Sequence, residues 1–125
     1  MRAEPAHVEG AADMFEMVDR VEGPTVTLLA RGEIDVSTAS ELRRHLEEAL
    51  GSAATEVVAD LTGVDFIDSA GIGVLVEGQR RLEEAEKALV VRVSHPSTIR
   101  VLSITGMDRY LTVEKVEPQP PVSAR

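Results

Sequence analysis

The sequence has no cysteine, no tryptophan and only three aromatic residues, Phe15, Phe66 and Tyr110, among its 125 residues. The lack of cysteine excludes disulfide bonds, thiolate zinc sites and cysteine nucleophiles. A pocket that stacks bases, flavins or sugars on aromatic rings is hard to build from so few rings. We therefore expect a core of Val, Leu, Ile and Ala, with Met as filler.

Positive charge is also scarce: 13 Lys and Arg stand against 22 Asp and Glu, for a formal net charge of −9. Nucleic-acid binding draws on clustered basic residues, and here the basic residues are diluted among acids, so no direct nucleic-acid partner is expected. The three histidines, His7, His45 and His95, are scattered without metal-ligand spacing. We expect no metal site and no cofactor.

Long apolar segments are missing as well. No segment approaches the roughly 20 apolar residues of a membrane span, and the polar N-terminus does not resemble a signal peptide. We therefore expect a soluble cytoplasmic protein that does not contact a membrane.

One domain is predicted between two irregular ends. Residues 1–13 are small, polar and aperiodic and are expected to form a disordered leader. Residues 117–125 are rich in proline, which removes backbone donors, and are expected to form a disordered tail. The domain is expected to span residues 14–116.

Strand and helix signals alternate along that domain. The predicted strands are Phe15 to Glu22, Thr25 to Arg31, Glu56 to Leu61, Leu89 to Val93 and Tyr110 to Val116. Gly23-Pro24 predicts a tight turn and hence an antiparallel hairpin. Helices are predicted from Thr38 (a capping box with Glu41) to Gly51, from Ala70 to Glu86, and from Pro96 to Gly106. The pattern predicts an α/β fold: a mixed, mostly parallel sheet with an antiparallel edge hairpin and helices packed on it.

The most informative segment is Asp65-Phe66-Ile67-Asp68-Ser69-Ala70-Gly71-Ile72-Gly73-Val74-Leu75, where a strand gives way to a helix. Ser69 has two interpretations, as the helix N-cap or as a functional hydroxyl. Asp65 and Asp68 are explained either by the helix dipole or by function. No G-x-S-x-G motif surrounds Ser69, and no histidine is identifiable as its base, which disfavours a serine hydrolase.

The glycines of this helix start are unfavourable in a helix interior. With Leu75 at the centre of the buried face, Gly71, Ile72, Gly78, Gln79 and Leu82 fall on or near that face. Gly71 and Gly78 are explained by close packing against the sheet. Gly73 points to solvent, with Val74 and Val76 on the flanks, and would allow another backbone to approach closely.

A second segment, Gly32-Glu33-Ile34-Asp35-Val36-Ser37-Thr38-Ala39, also follows a strand and precedes a helix. If Thr38 caps that helix, Asp35 is left free in the loop. The alternative is a turn-forming role for Asp35. Both loops are expected at one edge of the sheet, with Asp35 near Ser69.

These two segments, together with Pro96, Arg100-Val101-Leu102 and Thr105-Gly106-Met107-Asp108-Arg109, resemble the STAS-domain anti-sigma factor antagonist family. The resemblance covers roughly residues 14–116. It implies that the unphosphorylated protein binds an anti-sigma factor serine kinase with a histidine-kinase-like ATPase fold and frees the sigma factor. It further implies that the kinase phosphorylates Ser69, which causes dissociation, and that a PP2C-type phosphatase resets the protein.

The resemblance makes Ser69 the phosphorylation site and places Asp35 beside it. The predicted partner-binding residues are Asp35, Ser37, Thr38, Asp65, Asp68, Ala70, Gly71, Ile72, Gly73 and Val74. Ala70 stands where many members have a second hydroxyl, and the Pro-rich tail stands where the family has a terminal helix. The protein is expected to be a monomer or weak dimer and not an enzyme. The alternative is a STAS scaffold or accessory subunit of a sensor or lipid-transport complex, whose serine is never phosphorylated.

Overall fold

The computed structural model describes residues 15–117. In chain order the strands are β1 (Phe15–Glu22), β2 (Thr25–Ile34), β3 (Glu56–Ile67), β4 (Ala88–Val93) and β5 (Val113–Lys115). The helices are α1 (Ala39–Leu50), α2 (Ser69–Glu84), α3 (Pro96–Ile104) and α4 (Met107–Tyr110). Within the described range, no helix is long and apolar enough to cross a membrane.

The five strands form one sheet in the order of the sequence, β1-β2-β3-β4-β5. β1 and β2 pair antiparallel through the turn at Gly23-Pro24, and the remaining neighbours pair parallel. This confirms the predicted mixed sheet with an antiparallel edge hairpin. Because parallel crossovers are right-handed and each one advances the sheet by one strand, the helices collect on one face.

The core lies between that face and the helices. Apart from Phe15, its apolar side chains are aliphatic, as predicted, and Met17 and Met107 pack against its margin. In β2, Val26, Leu28 and Ala30 alternate inward. The fully buried large side chains are Leu28, Ile34, Leu42, Leu61, Leu75, Leu82, Leu102, Val57, Val64, Val91, Val93 and Thr98.

The prediction that the third strand ends at Leu61 is wrong, because β3 continues to Ile67. Its pairing with β2 shifts register twice, between Leu29 and Arg31 and between Gly32 and Glu33. Each shift places an extra residue in β3, which breaks the alternation of buried and exposed residues that marks a strand. The extension puts Asp65 and Phe66 in the strand rather than in a loop.

The predicted fifth strand starts too early. The chain forms the single helical turn of α4 first, with Gly106 in the left-handed region (φ 77°), and β5 is only three residues long. The predicted leader, residues 1–13, and residues 118–125 of the predicted tail lie outside the described residues, so both remain predictions.

Candidate functional site

Two loops meet at the carboxyl edge of the sheet, one after β2 and one after β3. Ile34 and Ile67 are cross-strand neighbours at the ends of these strands. The backbone N–H of Asp68 donates to the carbonyl of Ile34 at 3.1 Å. The loop that holds Asp35 therefore lies beside the start of α2, which confirms that the two loops share one edge. In open α/β sheets this edge is where ligands are usually bound.

Asp68, not Ser69, caps α2. Its backbone is extended (φ −112°, ψ −170°), and its Oδ1 accepts the N–H groups of Ala70 at 2.9 Å and Gly71 at 3.3 Å. The N-cap interpretation of Ser69 is therefore wrong. Ser69 is the first helical residue and is exposed, and its hydroxyl makes no hydrogen bond to another residue of 15–117.

The two glycines of the α2 start have opposite environments. A Cβ on Gly71 would lie 2.6 Å from Ile34 Cγ2 and 2.7 Å from Ile67 Cγ1, so the helix packs directly on the sheet there. A Cβ on Gly73 would meet nothing within 4 Å. Both predictions are confirmed, and Gly73 leaves an open approach one helical turn from Ser69.

The prediction that Gly78 packs against the sheet is wrong. A Cβ at this position would lie 3.1 Å from Leu46 Cδ1, so Gly78 packs against α1 rather than against the sheet.

Asp35 forms a compact turn instead of standing free. Its Oδ1 accepts the Ser37 hydroxyl at 2.7 Å and the backbone N–H groups of Ser37 at 2.9 Å and Thr38 at 3.2 Å. The hydrogen bond from the Ser37 hydroxyl, followed by that from the Ser37 backbone, holds the pKa of Asp35 below its ordinary value of 3.8. The turn-forming interpretation is thus confirmed, and a role for Asp35 in partner binding stays a prediction.

The predicted capping box at the start of α1 does not form. Thr38 occupies the N-cap position without a side-chain cap bond. Its hydroxyl instead donates to the Glu33 carbonyl and accepts the Asp35 N–H, each at 2.9 Å. Glu41 pairs with Arg44 at 2.7 Å. Thr38 therefore braces the Asp35 turn rather than the helix.

A third element, the start of α3, is fastened to the end of β3. The Ser97 hydroxyl donates to the Asp65 carbonyl at 2.7 Å, and the buried Thr98 hydroxyl donates to the Val64 carbonyl at 3.0 Å. His95 accepts the Ser97 N–H as the cap of α3. Sequence reasoning missed these contacts because they join residues more than 30 positions apart.

Two exposed apolar side chains, also missed from the sequence, lie in the same segments. Val36, beside Asp35, is 81% exposed, and Phe66, three residues before Ser69, is 46% exposed. An apolar residue inside the polar loop at 35–38 was the available signal for Val36.

The predicted partner-binding residues differ in exposure. Three are exposed to solvent, Ser37, Asp65 and Gly73, as is the predicted phosphorylation site Ser69. Four are half-buried: Asp35, Thr38, Asp68 and Ala70. Gly71, Ile72 and Val74 are buried in the core, so their direct effect is to support the surface from below.

A separate cluster that sequence spacing could not show joins β1 to α1. The ligand atoms of Asp19, His45 and Glu48 lie within 4.8 Å of one another. His45 Nδ1 is 2.7 Å from Asp19 Oδ1, and Arg44 contacts both His45 Nε2 and Glu48. Because Arg44 already supplies the positive charge, the cluster is accounted for as a hydrogen-bonded brace between strand and helix.

The curated relatives of this chain include anti-sigma factor antagonists from several bacteria. An anti-sigma-B factor antagonist of Listeria monocytogenes is 29% identical over 92 residues, which cover 74% of this chain and 81% of the relative. The anti-sigma-F factor antagonist RsfB of Mycobacterium tuberculosis is 32% identical over 79 residues, which cover 62% of this chain and 63% of the relative.

Solved structures share the fold. An anti-sigma factor antagonist from Mycobacterium paratuberculosis superimposes with a TM-score of 0.76 at 23% identity, covering 90% of this chain and 92% of that one. Unphosphorylated SpoIIAA superimposes with a TM-score of 0.68 at 21% identity, covering 82% of this chain and 87% of that one.

A family model supplies the assignment. The model described as "Mlab, STAS domain" matches residues 17–115, which include every strand from the middle of β1 to the end of β5. With this match and the shared fold, the chain belongs to the STAS-domain family.

Proposed function

We propose that this protein is an anti-sigma factor antagonist controlled by phosphorylation of Ser69. In its unphosphorylated form it binds an anti-sigma factor that is also a serine kinase of the histidine-kinase-like ATPase fold, and the sigma factor is released. The names of the relatives from Listeria monocytogenes and Mycobacterium tuberculosis support the general function. The kinase and its fold are what the resemblance to the anti-sigma factor antagonist family implies, and the geometry around Ser69 supports this residue as the phosphorylation site.

The observation that carries the proposal is that Asp68, and not Ser69, caps α2. Because Asp68 caps α2, the exposed Ser69 hydroxyl is not needed to satisfy the helix end. Phosphorylation would transfer the γ-phosphoryl group of ATP to Ser69 Oγ, release ADP and pass the hydroxyl proton to a base of the kinase. The fold should tolerate the product, since a helix N-terminus accommodates phosphate.

The same surroundings explain how phosphorylation would eject a partner. The exposed side chains of Val36 and Phe66 offer apolar contact, and Gly73 allows close backbone approach. A phosphate adds about −1.5 to −2 charges at pH 7, directly beside the carboxylate-bearing residue Asp68, in a segment that also carries the exposed Asp65. A thousandfold loss of affinity needs about 4 kcal/mol, and opposed like charges at a desolvated contact can supply several kcal/mol.

The wider cycle follows from the same proposal. A PP2C-type phosphatase would remove the phosphate and restore binding. We place the protein in the cytoplasm, where sigma factors act, with no direct contact to nucleic acid. We also propose that it acts by binding rather than by catalysis.

The test is incubation with the candidate kinase and ATP, followed by peptide mass spectrometry. We expect a single phosphate on Ser69, none on the Ser69→Ala variant, and unchanged modification of Ser40→Ala, which removes another exposed hydroxyl on α1. Ser69→Asp should bind the kinase more weakly than the wild type while its circular dichroism spectrum stays the same. Equal affinity of the wild type and Ser69→Asp would count against the switch.

A second candidate is a permanent accessory or scaffold subunit, for example of a sensor or lipid-transport complex. The matching family model is described as "Mlab, STAS domain" and not as an antagonist, which supports this second candidate. In that case every kinase encoded near the gene would leave Ser69 unmodified. Cells that carry Ser69→Ala would then behave like the wild type. Neighbouring genes for an ATPase-type kinase or a PP2C phosphatase would favour the switch.

A further inference from the structure

The outer edge of β1 offers a second surface, separate from the Ser69 loops. β1 pairs only with β2 among the strands of residues 15–117, so its other edge borders no described strand. Edge strands are commonly protected from pairing with another chain by charged side chains, especially lysine, and by proline. β1, with the sequence Phe-Glu-Met-Val-Asp-Arg-Val-Glu, has no lysine or proline, and its four charged residues are of both signs, so that a second copy can pair some of them. It also exposes Val18 (61%) and Val21 (72%).

The two faces of β1 are known from its contacts. Phe15 belongs to the core, Met17 packs against it, and Asp19 reaches His45 on α1, so these residues face the helices. Glu16, Val18 and Arg20 alternate with them and lie on the opposite face, which the crossover rule leaves without helices.

We propose that β1 is a homodimerisation edge, where it pairs antiparallel with β1 of a second copy and joins two five-stranded sheets. A two-fold axis perpendicular to the sheet keeps each residue on its own face. Opposed residues must therefore lie on the same face, which allows only registers in which their two numbers have an even sum.

One of these registers is complementary in charge. When Val18 lies opposite Val18 of the second copy, Glu16 faces Arg20 twice, once on each side of the axis. On the helix face, the same register places Phe15 opposite Val21, an aromatic and β-branched pair of the kind that stabilises sheets. It also places Met17 opposite Asp19, whose carboxylate is already held by His45 on its own chain.

The neighbouring registers are worse. Centring the axis on Asp19 opposes two carboxylates directly and also opposes Glu16 to Glu22 twice. Centring it on Arg20 opposes two guanidinium groups. Centring it on Met17 leaves Glu16 facing Val18 without a counter-ion. Like charges directly opposite one another destabilise a strand pair, so the Val18-centred register is selected.

The proposal does not depend on the Ser69 switch. The interface uses the edge of the sheet, while Ser69 lies at the carboxyl end of β3, two strands away. A dimer would thus present two phosphorylatable sites, and loss of dimerisation would leave phosphorylation by the kinase intact.

Disulfide trapping tests the register directly. The chain has no cysteine, so each introduced thiol is unique. Antiparallel opposed residues have Cα atoms about 4.5 or 5.5 Å apart, and both distances suit a disulfide. Val18→Cys should therefore cross-link rapidly under mild oxidation. Val21→Cys on the same strand, and Ile104→Cys at a similarly exposed position on α3 (73% exposed), should cross-link slowly.

Charge reversal tests it without cross-linking. Arg20→Glu would oppose Glu16 to glutamate twice, and we expect sedimentation equilibrium to show at least a tenfold increase in the dimer dissociation constant. Glu16→Arg combined with Arg20→Glu should restore association. Arg100→Glu, an exposed change of the same charge on α3, should have no effect. Glu16 also faces Arg31 on β2, so circular dichroism must confirm that the double variant is folded.

A chain that stays monomeric from micromolar to millimolar concentration overturns the proposal. So does equal cross-linking of the three cysteine variants, or a dimer that Arg20→Glu does not weaken. If the chain stays monomeric, any strand that pairs with the edge of β1 must come from a different protein.

Discussion

The Oδ1 atom of Asp68 lies 2.9 Å from the backbone nitrogen of Ala70, and this bond identifies the residue that starts α2. A cap at Asp68 places Ser69 one position inside the helix, where its hydroxyl makes no hydrogen bond to another residue of 15–117. Stability and modification are thus assigned to adjacent side chains, and substitutions can separate them.

Asp68→Ala should lower the free energy of unfolding by about 1 kcal/mol, because two N–H groups at the start of α2 lose their acceptor. Urea denaturation at neutral pH measures the change. Asp68→Asn is the matched control, since asparagine caps nearly as well as aspartate. Equal losses for the alanine and asparagine variants would contradict the capping role.

Alanine at the two glycines of α2 should have effects of opposite sign. Gly71→Ala forces a methyl group into the side chains of Ile34 and Ile67, and overpacking of this kind costs about 1–3 kcal/mol. Gly73→Ala meets open space and should stabilise the helix by roughly 0.5–1 kcal/mol. Denaturation curves of both variants provide the test. Destabilisation by Gly73→Ala would show that its surroundings are not open.

Gly73→Ala also probes the proposed partner surface. If a partner backbone approaches Ser69 over this glycine, the added methyl group should weaken binding of the anti-sigma factor while the fold becomes more stable. Calorimetric titration measures the affinity. An unchanged affinity would show that the partner does not approach Ser69 over Gly73.

Much of the fold could be predicted because its signals are local. Alternating apolar residues in β2 and the i, i+4 pattern of α1 each reflect burial on one face. The end of β3 could not be predicted, since its two register shifts depend on pairing with β2. Asp68 and Ser69 are both good capping residues, and the choice between them depends on where β3 ends.

The position of the site could be predicted from the sequence, but the hydrogen bonds within it could not. Two segments that each follow a strand identified the edge of the sheet. The sequence could not show that Thr38 would bond to Glu33 instead of capping α1. Nor could it show that Ser97 and Thr98 would reach the end of β3, because those contacts form only after the sheet has assembled.

Ser37→Ala should raise the pKa of Asp35 toward its ordinary value of 3.8, because the Ser37 hydroxyl is the largest cause of its depression. A carboxyl group with a depressed pKa stabilises the fold above its unfolded pKa, and the effect disappears as the pH falls through the folded pKa. In Ser37→Ala the stabilisation above the unfolded pKa should be smaller, and its loss should be complete at a higher pH than in the wild type. Carbon NMR titration of the Asp35 carboxyl measures the shift, with Ser40→Ala as control. An unchanged pKa would contradict the role of the hydroxyl.

The buried hydroxyl of Thr98 should matter more than its methyl group. Thr98 is fully buried and donates to the Val64 carbonyl at 3.0 Å, which holds the start of α3 against β3. Thr98→Val keeps the shape but removes the donor, and we expect a loss of about 1–2 kcal/mol from the polar group left without its partner. Thr98→Ser keeps the donor and removes one methyl group, worth about 0.8 kcal/mol. If urea denaturation shows that the valine variant is as stable as the serine variant, apolar packing rather than the hydrogen bond holds α3 in place.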